Sequence, residues 1–168
     1  LLGPNQLPAQ ASLNIHEILD HVATLLEAET KGQIVLNKDY DPSIPDLQGD
    51  RGQLIQAFLN IARNAMQALD RSDRLDSKIT IKTRIEQSFT IAGLRRKVVC
   101  RVDVIDNGPG IDHMIKERIF FPMVSGHSEG AGLGLTIAQT AIFRHEGSIE
   151  CDSIPGKTCF SIYLPIKV

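Results

Sequence analysis

Three groups of residues have the types and the spacing to do chemistry together. Gln56, Asn60 and Asn64 recur at four-residue intervals, which stacks them one above another on a helix. Asp106-Asn107-Gly108-Pro109-Gly110 follows an apolar run at 98–105, and Gly130-Ala131-Gly132-Leu133-Gly134-Leu135 runs into a segment with a helical pattern. An acid at the end of a buried strand is costly unless it is hydrogen-bonded or faces a ligand. Ionised, Asp106 can accept from an exocyclic amino group such as adenine N6. Gly108 and Gly110 let backbone approach a flat ring where a Cβ would collide. Glycines ahead of a helix leave its first amides open to an anion, and the phosphate chain of a nucleotide is the working hypothesis. Asparagine carbonyl oxygens are neutral hard ligands, and Mg2+ keeps several waters and prefers phosphate partners. Asn64 is therefore a sensible lone protein ligand to a metal already held by a nucleotide.

Each group also has a plainer reading. The amide row equally describes a solvated helix face, although amides bordering a core need partners. Asp-x-Gly-x-Gly describes an ordinary turn as well. The 130–135 cluster is misplaced for a dinucleotide fingerprint, because it follows an irregular stretch and not the first strand of a βαβ unit. The Lys-Ser/Thr that ends a P-loop is absent. What remains is a loop followed by helix N-terminal amides.

The elements that must position these groups are legible from periodicity. Residues 13–29 carry Ile15, Ile18, Leu19, Val22, Leu25 and Leu26, the stripe of an amphipathic helix with Ser12 or Asn14 as cap. A strand is expected at 33–39, ended by the turn-rich 41–45. Residues 50–69 form the longest helix, with Leu54, Ile55, Phe58, Leu59, Ala62, Ala65, Met66 and Leu69 as its core face. Two strands at 78–90 and 95–105, turning near Ala92-Gly93, read as an antiparallel hairpin, since Val98, Cys100, Val102 and Val104 alternate with Arg101 and Asp103. A short helical piece at 114–119 and an irregular 120–130 follow. Then come a helix at 133–145 and strands at 148–152 and 158–164, joined by a turn at Pro155-Gly156. This order suggests an α+β sandwich with helices on one face of a sheet.

Composition narrows the field. The chain has 168 residues, 42% of them apolar and 23% charged, an ordinary globular composition long enough for one well-cored domain. A net charge of −2 argues against a dedicated nucleic-acid surface. No apolar run approaches the roughly 20 residues that span a bilayer, so no membrane partner is expected. Cys100, Cys151 and Cys159 have no disulfide or metal-ligand spacing and read as small buried hydrophobes in a reducing cytosol. The chain opens on Leu1 and is taken as a piece of a longer protein, with 1–12 as a linker and 13–168 as the domain.

Taken together and in this order, the groups resemble the nucleotide-binding domain of sensor histidine kinases, in the superfamily that includes gyrase B, Hsp90 and MutL. Gln56-x-x-x-Asn60-x-x-x-Asn64-Ala65 resembles the N box and Asp106-x-Gly108-x-Gly110-Ile111 the G1 box. Phe120-Phe121-Pro122 resembles the F box, and the 130–135 cluster the G2 box. Pro155-Gly156-Lys157-Thr158 looks like the closing glycine-threonine motif. Tyr40-Asp41-Pro42-Ser43-Ile44-Pro45, Asn64-Ala65-Met66-Gln67-Ala68-Leu69 and Phe121-Pro122-Met123-Val124-Ser125-Gly126 are similar, more narrowly, to sensor kinases of nitrogen regulation. Leu2-Gly3-Pro4-Asn5 is similar to the segment leaving their dimerisation helices.

The resemblance implies a two-layer α/β sandwich, its mixed, mostly antiparallel sheet covered on one face by three helices. It implies ATP and Mg2+ as ligands, with Asp106 holding the adenine amino group beside Gly108 and Gly110. Asn64 would coordinate Mg2+ and Asn60 would line the phosphate site. Gly130, Gly132, Leu133 and Gly134 would border the phosphates below a lid at about 112–131, and Thr158 would complete the ATP site. The phosphoacceptor histidine and the general base are expected on a dimerisation domain outside this chain. A cytoplasmic homodimer, an NtrC-like response regulator and a PII signal protein are the further partners implied. Two departures matter. ATP-hydrolysing relatives carry a glutamate where this chain has Asn60, an amide that takes no proton at neutral pH, which favours phosphoryl transfer over hydrolysis. Many histidine kinases carry a lysine or arginine where this chain has Gln67, leaving Arg63 or the partner domain to meet the terminal phosphate. A gyrase- or Hsp90-like ATPase and a non-catalytic nucleotide-sensing module are the rival readings.

Asn14-Ile15-His16-Glu17 invites a reading as a phosphoacceptor pair. The expected proline a few residues on is absent and one helix continues into the first strand, so His16 is read as an exposed surface histidine. His21 and His145 read as helix-surface positions, and His113 and His127 as polar lid residues. The five histidines make no metal-ligand cluster.

Overall fold

A computed structural model describes residues 9–70, 75–91, 93–112 and 130–167. In chain order these form β1 (Ala11–Leu13), α1 (Ile15–Thr30), β2 (Val35–Asp39), β3 (Leu47–Gly49) and α2 (Arg51–Asp70). They continue with β4 (Lys78–Ile91), β5 (Leu94–Asp106), α3 (Gly130–Arg144), β6 (Ser148–Ile154) and β7 (Lys157–Pro165). Five strands make one sheet in the order β2-β4-β5-β7-β6. Only β2 runs parallel to its neighbour, because the helical α2 crossover separates it from β4. The hairpins β4–β5 and β6–β7 and the central β5–β7 pair are antiparallel.

One core lies between this sheet and the helices. Ile18, Leu19, Val22 and Leu26 of α1, Leu54, Phe58, Ile61 and Ala65 of α2, and Leu135, Ala138 and Ile142 of α3 pack over Ile79, Ile81, Cys100, Val102, Val104, Phe160 and Ile162. The period-2 alternation of β5 sends Val98, Cys100, Val102 and Val104 to this face. Arg101 and Asp103 go to the other face, where the Arg101 guanidinium donates to Asp103 and Glu86, each at 3.0 Å. The expected α+β sandwich, three helices on one face of a mixed sheet, is the observed architecture.

Asn14 caps α1, its side chain accepting from His16 N–H at 2.9 Å. Lys31 ends the helix in the left-handed conformation at φ 54°, the usual C-terminal stop. Four expectations need correction. Ala11 and Ser12, assigned to a linker, belong to β1, which pairs antiparallel with β3. Three-residue strands are too short to show periodicity. The third helix begins at Gly130 and not at 133. His16 is half-buried, stacked on Tyr40 at a 4.4 Å ring separation, with Nε2 2.8 Å from Thr83 Oγ1. His145, expected on a helix surface, is 7% exposed.

Candidate nucleotide site

α2 carries the amide row. Asp50 precedes it and caps it, Oδ1 accepting from Gln53 N–H at 3.1 Å. Leu54, Phe58, Ile61 and Ala65 are fully buried. Gln56, Asn60 and Asn64 are half-buried, so the row runs along the border of the core and not across an open solvent face. Gln67 and Ala68 continue that border. Arg63, considered above as a cation for a terminal phosphate, is held instead by Glu29 of α1. Its Nε donates to both carboxylate oxygens, at 3.0 and 3.1 Å.

Asp106 ends the central strand, in register with Ile79 on one side and Thr158 on the other. It is 2% exposed. Burial pushes its carboxyl up to about 6, against the opposing pull of the Gly108 N–H, which donates to Oδ1 at 2.9 Å. The backbone then turns tightly over the end of α2. A Cβ on Gly108 would stand 2.9 Å from Asp106 Oδ1 and 3.5 Å from Leu69 Cδ2. Gly110 has φ +90°, and a Cβ there would lie 2.8 Å from Ile154 O, so glycine is required on both counts.

This turn is fastened on two sides, by the closing glycine-threonine motif and by residues outside the expected site. The Asn107 side chain accepts from Lys78 N–H and donates to Asp76 O, each at 2.8 Å, tying the exit of β5 to the start of β4. Ser153 Oγ accepts from Ile111 N–H at 2.9 Å and lies 2.7 Å from Thr158 Oγ1. Gly156 N–H donates to Gly108 O at 3.0 Å. The Pro155-to-Thr158 turn is thus the brace of the Asp106 turn. Thr158 is buried beneath it. No periodicity or motif signalled Ser153 or Asn107; their roles arise from strand register.

Gly130, Gly132 and Gly134 lie in the opening turns of α3, together with Leu133. The first four amides of a helix have no intrahelical acceptor, so the open donors begin at Gly130 itself. α2 packs against both α3 and β5, which links the glycine helix to the Asp106 turn. Residues 113–129, with the expected helical piece, the Phe120-Phe121-Pro122 motif, His113, His127 and most of the expected lid, lie outside the described residues. The Leu133 side chain does too.

Among the described residues no group of three His, Cys, Asp or Glu can hold a metal ion, and the half-buried carboxamide of Asn64 suits an ion whose other ligands are phosphate and water.

The fold and the site define a class. Residues 49–168 match the family of histidine kinase-, DNA gyrase B-, and HSP90-like ATPases, and the chain belongs to that family. The catalytic domain of histidine kinase ThkA is similar at a TM-score of 0.75 and 25% identity, over 93% of this chain and 95% of that one. Full-length ShkA in complex with AMPPNP is similar at the same TM-score and identity, over 97% of this chain and 32% of that one. More particularly, the sensory histidine kinase/phosphatase NtrB of Vibrio alginolyticus is 46% identical over 99% of this chain, and the match covers 47% of that protein. The chain spans about half the length of the curated relatives it matches.

Proposed function

We propose that this domain binds Mg·ATP and presents the γ-phosphate to a histidine on a dimerisation domain outside the chain, as the catalytic part of an NtrB-like sensor kinase. The observation that carries the reading is a carboxyl group buried at the end of the central strand, with a glycine turn braced over it. Asp106 accepts from the adenine amino group, and Gly108 and Gly110 leave room for the ring. Asn60 and Asn64 meet the phosphates and their metal from α2. The amides opening α3 at Gly130, Gly132, Leu133 and Gly134 meet the phosphates from the other side, with Thr158 bracing the adenine end. Mg2+, held by the phosphates and Asn64, neutralises charge on the transferring group.

Catalysis here is positioning and charge neutralisation. Asn60 stands where a hydrolytic relative needs a base, and an amide cannot activate water. With Arg63 engaged by Glu29, the partner domain is the better source of a cation for the γ-phosphate. In the whole protein, a cytoplasmic homodimer, a response regulator of the NtrC type receives the phosphoryl group and a PII signal protein sets the kinase-phosphatase balance. The similarity to NtrB along nearly the whole chain supports this.

The test has two arms. Calorimetric titration of this chain should show ATP binding that depends on Mg2+ and weakens in Asp106→Asn. Radiolabel from ATP should pass to a separately supplied dimerisation domain. Absence of Mg·ATP binding would favour a non-catalytic module. Steady phosphate release by the isolated chain, lost in Asn60→Ala, would favour a gyrase-like ATPase.

A further inference from the structure

We infer that His145 is a positioning residue for the nucleotide site, pinning the start of α2 to the end of α3 so that the amide row and the glycine helix keep a fixed relation. The inference rests on the nucleotide reading above and extends it to a residue remote from the glycine clusters.

The contacts define the device. Asp50, immediately before α2, donates its backbone N–H to His145 Nε2 at 2.9 Å. His145, immediately after α3, has Nδ1 2.7 Å from Ala141 O. A carbonyl only accepts, so Nδ1 carries the proton and Nε2 offers its lone pair. One neutral tautomer makes both bonds, and the ring bridges two helices. The space is made for it: a Cβ on Gly49 would stand 2.8 Å from His145 Cδ2. The far side of the joint is fixed as well. Glu146 turns left-handed at φ 60°, Gly147 N–H donates to Ile142 O at 2.9 Å, and a Cβ on Gly147 would collide with Tyr163 O of β7. Asp50 also receives the upstream chain, Oδ2 accepting from Ala9 N–H at 2.9 Å.

The lever arm gives the pin its consequence. α3 has 15 residues, which at about 1.5 Å per residue makes a rod of about 22 Å. The pin holds one end and the open amides lie at the other. A tilt of about 5° at the pin moves that far end by about 2 Å on the same rise, enough to break a hydrogen bond. Losing one bond to a charged phosphate weakens binding by about tenfold or more.

The experiment uses this chain at pH 8, reading the Mg·ATP dissociation constant by calorimetry and the melting temperature alongside it. His145→Phe keeps an aromatic ring, somewhat larger than imidazole, and removes both bonds. It should weaken ATP by about tenfold and speed amide hydrogen exchange at 130–135. His145→Gln, which can again accept from Asp50 N–H, should restore most of both. Gly49→Ala displaces the ring without removing it and should weaken ATP in the same direction, and it decides the matter if His145→Phe does not fold. A lower melting temperature with the ATP constant unchanged within about twofold in the folded variants would make His145 a stability residue only and overturn the inference. Failure of the wild-type chain to bind Mg·ATP would overturn the nucleotide reading, and this inference with it.

Discussion

Asp106→Asn should make the empty domain more stable while depriving it of its nucleotide. Burial lifts the Asp106 carboxyl from 3.8 to about 6, so at neutral pH the native state holds a charge it disfavours. At 1.36 kcal/mol per pH unit, that difference corresponds to about 2–3 kcal/mol. The sign follows from the direction of the shift. A raised native value means that the folded state binds the proton more tightly than the unfolded chain. Stability from this group is therefore complete below about pH 4 and is lost as the pH rises through about 6. Asparagine is isosteric, is never charged, and still offers Oδ1 to the Gly108 N–H. Its advantage over wild type should be full at pH 8, about half at pH 5, and about a fifth at pH 4. A gain of about 2 kcal/mol in a domain of this size raises the melting temperature by roughly 4–8 °C. The assay is thermal unfolding of both proteins without nucleotide at pH 4, 5 and 8, followed by Mg·ATP titration at pH 8. The variant should melt higher at pH 8 and bind ATP more weakly, at a cost of about 1.5–3 kcal/mol. A variant that melts lower than wild type at pH 8, or whose advantage does not shrink on acidification, refutes the argument from burial.

Other perturbations separate the parts of the site. Gly110→Ala forces a Cβ into Ile154 O at a positive φ and should cost about 2–4 kcal/mol in chemical denaturation. Arg63→Ala removes an ion pair on the α1 side of α2; stability should fall by about 1 kcal/mol or less, and the Mg·ATP constant should not move in calorimetry. Asn64→Ala should abolish the Mg2+ dependence of ATP binding while leaving metal-free binding largely intact, measured by titration with and without EDTA. Ser153→Ala takes the acceptor from Ile111 N–H and the partner from Thr158; denaturant unfolding should show a loss of about 1–2 kcal/mol.

The parts of the molecule readable in advance were those with a repeating pattern. The stripe of Ile15 to Leu26, the long α2 face and the alternation along β5 each repeat over many residues and lie where periodicity puts them, save that the α2 face also takes in the buried Ala57 and Ile61. The amide row was readable for the same reason, although only its half-buried position separates it from a solvated face. Propensity misled at the start of α3, because three glycines are poor helix formers yet the helix begins at Gly130. His145 and Ser153 were invisible for another reason. Their partners, Asp50 and Ile111, are distant in the chain, and no local pattern encodes a contact made only when strands and helices assemble. His16 was misread in the same way, since Tyr40 and Thr83 come to it from other elements.

The register of β5 has a consequence for the life of the chain before it is complete. Asp106 is flanked by Ile79 from the preceding strand and by Thr158 from the last one, and the brace over it comes from the final turn. Such long-range pairings are slow to close. On a ribosome, everything through α3 can have emerged while the Asp106 turn still lacks one wall. On the function proposed above, nucleotide is therefore a ligand of the finished fold alone. It cannot template folding early, and it stabilises by mass action only chains that have already laid down β7.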